Sequence, residues 1–192
     1  MSKVKLAVLA VFLVFFPTHL LAHPSRVRLL IHGNVPLTEN VGLSGHFIPA
    51  PNLLGEVAPI TFLEVNWKLA SWLTISPTVG WAFKPDEVIA SLRLSPKYKN
   101  FWGWVDMEIR PQSLAGYWFV QAQYQCLPWL HVGLEEESWG NFEEWDKFSH
   151  GGGPNVLLRF GQHFGIDLAL HARDVPENGV GAEFFLRAHL FL

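Results

Sequence analysis

Cysteine is nearly absent: Cys126 stands alone, so no disulfide can form within the chain and backbone pairing and packing must hold the fold. Charge is scarce too. Asp, Glu, Lys and Arg make up 16% of the chain, against roughly 25% in ordinary soluble domains. The net charge is −3, with a pI near 6.3, which leaves no electrostatic case for nucleic-acid binding. Beyond residue 23 no apolar run reaches the roughly 18 residues of a membrane-spanning helix. Aromatics, in contrast, are plentiful at 14%, with nine Trp. Little charge and much Trp suit a protein whose outside meets lipid.

The N-terminus has the layout of a secretory leader. Lys3 and Lys5 supply a positive start, Leu6 to Phe16 is an apolar stretch, and Pro17 breaks it. Leu20-Leu21-Ala22 is an acceptable cleavage site before His23, so residues 1–22 are expected to be a signal peptide and 23–192 one domain. No cysteine follows the cut, which argues against a lipoprotein.

The remainder alternates with period two, the mark of strands with two different faces. Leu63, Val65 and Trp67 share a row opposite Glu64 and Lys68; Val79, Trp81 and Phe83 oppose Thr78 and Gly80. Pro77 interrupts that second apolar row and should cost a ladder hydrogen bond or mark a bulge. Further segments repeat the pattern at 88–95, 103–110, 118–126, 130–137, 156–160 and 164–173. The last eleven residues, A-E-F-F-L-R-A-H-L-F-L, place Phe184, Leu186, Leu190 and Leu192 on one face. This closing strand resembles the C-terminal signature of bacterial outer-membrane β-barrels, with Leu192 in place of the usual terminal aromatic. The resemblance implies a Gram-negative outer-membrane location, contact with membrane lipids, and the barrel assembly machinery as a partner that reads those four residues.

Two kinds of turn alternate along the chain. One is short and flanked by aromatics, pairing Trp67 with Trp72, Tyr124 with Trp129, and Phe160 with Phe164. The other is polar and variable, as at 84–87, 111–115, 140–154 and 174–179. Short periplasmic turns and longer outer loops are the habit of transmembrane barrels, and the six aromatics would form the lower girdle. The expectation is therefore an all-β, antiparallel, up-and-down transmembrane β-barrel of ten strands, or eight if two short segments fail. Arg26 to Asn34 is taken as the first strand and residues 35–57 as a long loop. Val41 to Ile48 is a rival, but using both gives eleven strands and leaves the two chain ends on opposite sides.

The polar face carries Glu64, Lys68, Arg93, Asp106, Glu108, Arg110, Glu135, Glu137, Arg159, Asp167, Arg173, Glu183 and Arg187. In a membrane barrel these line the lumen and pair with one another, because unpaired buried charge is very costly. The expected function is a structural or surface-exposed barrel with a charge-filled lumen, or a narrow pore, needing no cofactor and no metal. The alternatives are an outer-membrane enzyme acting on lipid or peptide at the rim, and a soluble lipocalin-like barrel with its faces exchanged.

No catalytic residue is assigned. Glu135, Glu136 and Glu137 with His131 have ligand chemistry but no diagnostic spacing, and they read as partners of interior arginines. Glu136 falls in the apolar row, and Trp102 and Trp104 fall on the lumen side. Ser149 and His150 precede Gly151-Gly152-Gly153-Pro154, which reads as a flexible loop; the H-x-S-N-A type motif of lipid A deacylases is absent. His171 and Asp174, with Glu143, Glu144 and Asp146, are rim candidates of omptin-like type, without an omptin motif.

Overall fold

The computed structural model describes residues 26–55, 58–175 and 179–192. The expected leader lies outside the described residues. Among those residues eleven strands close into one barrel: β1 (Arg26–Pro36), β2 (Val41–Ile48), β3 (Ile60–Ala70), β4 (Leu73–Phe83), β5 (Asp86–Tyr98), β6 (Phe101–Arg110), β7 (Ala115–Leu127), β8 (Leu130–Asn141), β9 (Ser149–Phe160), β10 (Phe164–Val175) and β11 (Gly179–Phe191). Each strand pairs antiparallel with the next in sequence, and β1 closes the ring against β11 in parallel, from Arg26↔Phe185 to His32↔Phe191. Closure leaves no free edge, so every wall strand has two neighbours.

The strand number corrects the expected ten. Val41–Ile48 is a strand in addition to Arg26–Pro36, not instead of it, and it pairs with both β1 and β3. The segment between them is a tight turn. Leu37 and Thr38 N–H both donate to Val41 O, while Asn40 and Val41 N–H donate to Thr38 Oγ1. A hydroxyl that caps its own turn makes a hairpin out of a stretch whose Pro, Gly and Asn content reads as loop. Counting strands by parity fails because the ring closes in parallel. The odd strand number sends β1 toward the same end at which the chain finishes, where Leu192 N–H donates to His32 O at 2.9 Å.

The second correction concerns Gly151–Pro154. These residues are not loop but part of β9, and only 142–148 bridge β8 to β9, largely as a 3₁₀ segment, Phe142–Lys147. The glycines serve close packing. A Cβ on Gly153 would lie 2.0 Å from Leu170 O, and one on Gly151 would meet the Arg173 guanidinium at 2.4 Å. Pro77 also stays within its strand. The β3–β4 ladder skips from Glu64↔Thr78 to Trp67↔Ile75 without changing register, as expected where a proline has no N–H to give.

Alternation sorts the side chains into two faces. Outward lie Leu63, Val79, Leu92, Met107, Val120, Val132 and Leu134, all exposed. Inward lie Glu64, Arg93, Asp106, Gln121, Glu135, Glu137, Asp167, Arg173, Glu183 and Arg187, all buried. Such a wall is apolar outside and charged within. Apolar residues also point inward, among them Phe119, Leu157 and Phe185 and a small cluster of Ile60, Phe62, Ala82 and Ile89, with Ile48 against it.

The two barrel ends differ. At one end the turns are short: 37–40, Ser71–Trp72, Lys99–Asn100, Pro128–Trp129 and 161–163. Two of them place a residue in the left-handed region, Lys99 at φ 53° and Gly161 at φ 74°, the latter at no steric cost. Trp67, Trp72 and Tyr124 stand exposed around this end with Phe164, and Trp129 and Phe160 are half-buried beside them. Tyr98 and Phe101 belong to the same ring of aromatics; Phe101 packs on Tyr124 at 5.0 Å and Phe160 on Phe164 at 5.7 Å. Phe184, Leu186 and Leu190 face outward on β11, and Leu192 follows the strand.

Candidate functional site: the charged lumen

Two hydrogen-bonded clusters organise the interior. The larger is built by β1 and by β7 to β11. Arg173 donates to Glu183 at 2.5 Å and to Glu137 at 3.2 Å. Arg26 reaches the same two carboxylates, with Nη2 2.9 Å from one Glu183 oxygen. Arg28 adds a longer contact to Glu137 at 3.4 Å, and Tyr117 donates its hydroxyl to Glu137 at 3.0 Å. One step along the lumen, Arg187 bridges Glu135 and Asp167, the latter at 3.0 Å. Gln121 donates to both carboxylates, at 2.8 and 2.9 Å, and Asn155 donates to Glu135 at 2.8 Å. His171 joins the halves, 2.9 Å from Glu135 and 3.5 Å from Glu183.

The smaller cluster centres on Arg93. Its guanidinium contacts Glu64, meets Asp106 at 2.5 Å through Nη2, and lies over the Trp104 ring at 4.4 Å. Ser44, Asn66 and Ser76 extend the Glu64 side by hydrogen bonds of 2.7–2.9 Å. A run of imidazoles leads away from it. His46 is 3.1 Å from Glu64, His32 is 3.2 Å from His46, and His189 is 3.0 Å from His32. Buried ions survive only when paired and hydrogen-bonded, and these clusters take their partners from strands far apart in sequence, leaving Asp167 Oδ1 and Arg187 Nε without one.

The thirteen polar-face residues divide as follows. Glu64, Arg93 and Asp106 form the smaller cluster. Glu135, Glu137, Asp167, Arg173, Glu183 and Arg187 belong to the larger. Glu108 and Arg110 also line the interior, with Arg110 3.8 Å from Glu87. Arg159 sits over the Phe191 ring at 4.9 Å. Lys68 lies exposed near the short-turn end, beside Ser71 and Lys97, outside both clusters. Sequence reasoning did not select Arg26, Arg28, Glu87, His32, His46 or His189 for the lumen. Arg28 and His32 carried a signal, since both oppose Val27, Leu29 and Ile31 in the alternation of β1.

The other candidates also find places. The acidic run splits, because alternation turns Glu135 and Glu137 inward and Glu136 outward. No group of three or more metal-ligating side chains among the described residues is arranged to hold an ion. Ser149 points inward, donating to Asp174 O at 3.0 Å, while adjacent His150 points outward, so they do not meet. His171 is fully buried in the network, and Glu143, Glu144 and Asp146 are exposed on the 3₁₀ segment. Trp102 and Trp104 both line the interior.

The clusters do not fill the barrel. A cavity of about 1080 Å³ remains, and its lining runs from Lys97, Lys99 and Gln162 at the short-turn end to Arg110, Gly116 and Asn141 at the other. Eight Lys or Arg and four Asp or Glu contribute to that lining. Among the described residues no carboxylate lies in ion-pair distance of Lys97, Lys99 or Arg159. Between these charges the lining is largely apolar and aromatic, with Phe62, Trp102, Trp104, Phe119 and Leu157 among its residues. No protein-family model matches this chain, and no curated protein matches it in sequence.

Proposed function

We propose that this chain is an integral outer-membrane β-barrel of a Gram-negative bacterium, with its apolar wall in lipid and its lumen a narrow pore for small solutes, anions foremost. The observation that carries the reading is the division of faces around one continuous cavity: charge and amide groups point in, and exposed Leu, Val, Phe and Trp point out. A soluble ligand-binding barrel has the reverse arrangement, an apolar interior and a polar exterior. In a bilayer the closed ring satisfies its backbone internally, as hydrocarbon requires. The aromatic ring at the short-turn end then sits at headgroup level, on the periplasmic side. The outward residues Phe184, Leu186, Leu190 and Leu192 would meet the barrel assembly machinery. Lys and Arg at a pore mouth favour anions, and Lys97 and Lys99, on the β5–β6 hairpin, bring two such charges to one end of the cavity. Planar-bilayer recording of the purified, folded chain tests the pore: discrete conductance steps support it, and a silent bilayer containing folded protein contradicts it.

A further inference from the structure

The outward positions of the strands are apolar or glycine almost everywhere. Apart from Thr61 and the strand-end residues Asp86 and Asp174, the polar exceptions are Glu136, Ser138 and His150. These three are neighbours. Ser138 pairs directly across β8–β9 with His150, and Glu136 lies two residues back on the same face of β8. Ser138 Oγ is 2.8 Å from His150 Nδ1 and also contacts the Glu136 carboxylate. Glu136 Oε1 lies 4.0 Å from the same imidazole nitrogen. The Ser138 hydroxyl donates to Glu136 and lies in reach of His150 Nδ1, so a nucleophile stands between two groups able to take its proton, the first requirement for activating a serine. An ionisable group on a lipid-facing wall is costly and points to a role in function.

The surroundings suit a lipid. Ser138 lies three residues from the end of β8, about 10 Å along the strand at ordinary rise. Aromatic rings flank the centre. Trp118 and Phe148 lie 5.7 and 6.2 Å from His150, and Trp145 packs on both, at 5.9 and 4.5 Å. Ser138 itself is fully buried, while His150 is exposed. The 3₁₀ segment that carries Trp145 has no buried residue, so it is the lightly held part of this cover.

We propose that Ser138, His150 and Glu136 form a serine-hydrolase centre on the outer wall that cleaves an acyl ester of a membrane lipid. The inference rests on the wall facing lipid, not on the lumen conducting. When the aromatic cover opens, Ser138 Oγ attacks the ester carbonyl carbon and its proton passes to His150. The C–O bond to the alcohol breaks, and His150 returns the proton to that alkoxide. Water then attacks the acyl-serine carbonyl, giving its proton through His150 to the departing Ser138 oxygen. Ester and water become carboxylic acid and alcohol. Glu136 is a positioning residue whose anion steadies the imidazolium.

The test uses the full chain folded in phospholipid vesicles and a fluorophosphonate probe, which bonds only to activated serines, with the labelled residue read by mass spectrometry. Folding is scored separately by the mobility difference between boiled and unboiled samples. Label is expected on Ser138, absent in S138A and reduced at least tenfold in H150A and in the milder H150Q. E136Q should slow labelling and E136D should restore part of it. Free fatty acid should appear from the vesicle lipid with the wild-type chain and not with S138A. A folded chain with no label on Ser138, or label indifferent to His150, overturns the hydrolase. A chain that does not fold in vesicles overturns the lipid-facing reading, and the hydrolase with it.

Discussion

Glu137 is the residue whose loss should cost the barrel most. It is fully buried, and its two carboxylate oxygens serve Arg26, Arg28 at 3.4 Å, Arg173 at 3.2 Å and Tyr117 at 3.0 Å. Glu137→Gln keeps the size of the side chain. It removes the charge, however, and replaces one acceptor by an NH₂ that faces guanidinium donors. Breaking one side of a buried ion pair costs about 3–5 kcal/mol. Arg26 and Arg173 keep Glu183, so the lower figure applies, about 3 kcal/mol. The assay is urea unfolding of the lipid-folded barrel, followed by Trp fluorescence, with the slope required to stay unchanged so that the midpoint reports stability. Val132→Ala, on the outward face of the same strand, is the control. If the wall faces lipid as proposed, acyl chains would fill the gap it leaves, and it should cost under about 1 kcal/mol. If Glu137→Gln unfolds within about 0.5 kcal/mol of the unaltered chain, the charged interior does not hold the barrel and the reasoning fails.

Three further outcomes are expected. Leu134→Arg, near the middle of outward β8, should destabilise the lipid-folded protein by about 2–4 kcal/mol, measured by the same unfolding; an effect near zero would mean that Leu134 meets water. In a salt gradient the reversal potential should have the sign of anion preference, and the double variant Lys97→Glu, Lys99→Glu should move it toward cations; an unchanged potential would remove these lysines from the conducting path. Gly153→Ala drives a Cβ against Leu170 O and should cost about 1–3 kcal/mol of overpacking. Gly33→Ala, with open space around it, should stay within about 0.5 kcal/mol in the same urea unfolding.

The strand phase was legible because period two is a local property. Once Glu64 is placed on the polar face, Val65 and Leu63 fall on the other, and the inward placement of Trp102 and Trp104 follows without knowledge of any neighbour. Val41 to Ile48 was legible as a strand, but strand number was not, because counting by parity sets it aside and this ring closes in parallel. The glycine run misled for a related reason. Gly151 and Gly153 yield room to Arg173 and to Leu170 O on a strand some twenty residues away, and only cross-strand register reveals that need. Register also explains why His150 pairs with Ser138 and not with adjacent Ser149. A one-residue offset in a strand exchanges faces, whereas twelve residues across a hairpin can meet. The one local signal of that centre was Glu136, a charge in an otherwise apolar row.

The central claim is that the apolar wall requires lipid. It is tested most directly by diluting the urea-unfolded chain into buffer with and without phospholipid vesicles. Circular dichroism and the mobility of unboiled samples are then recorded. The expected result is β-sheet signal and a heat-sensitive folded band only where vesicles are present. A monomeric, cooperatively folded β-protein in buffer alone would contradict the account.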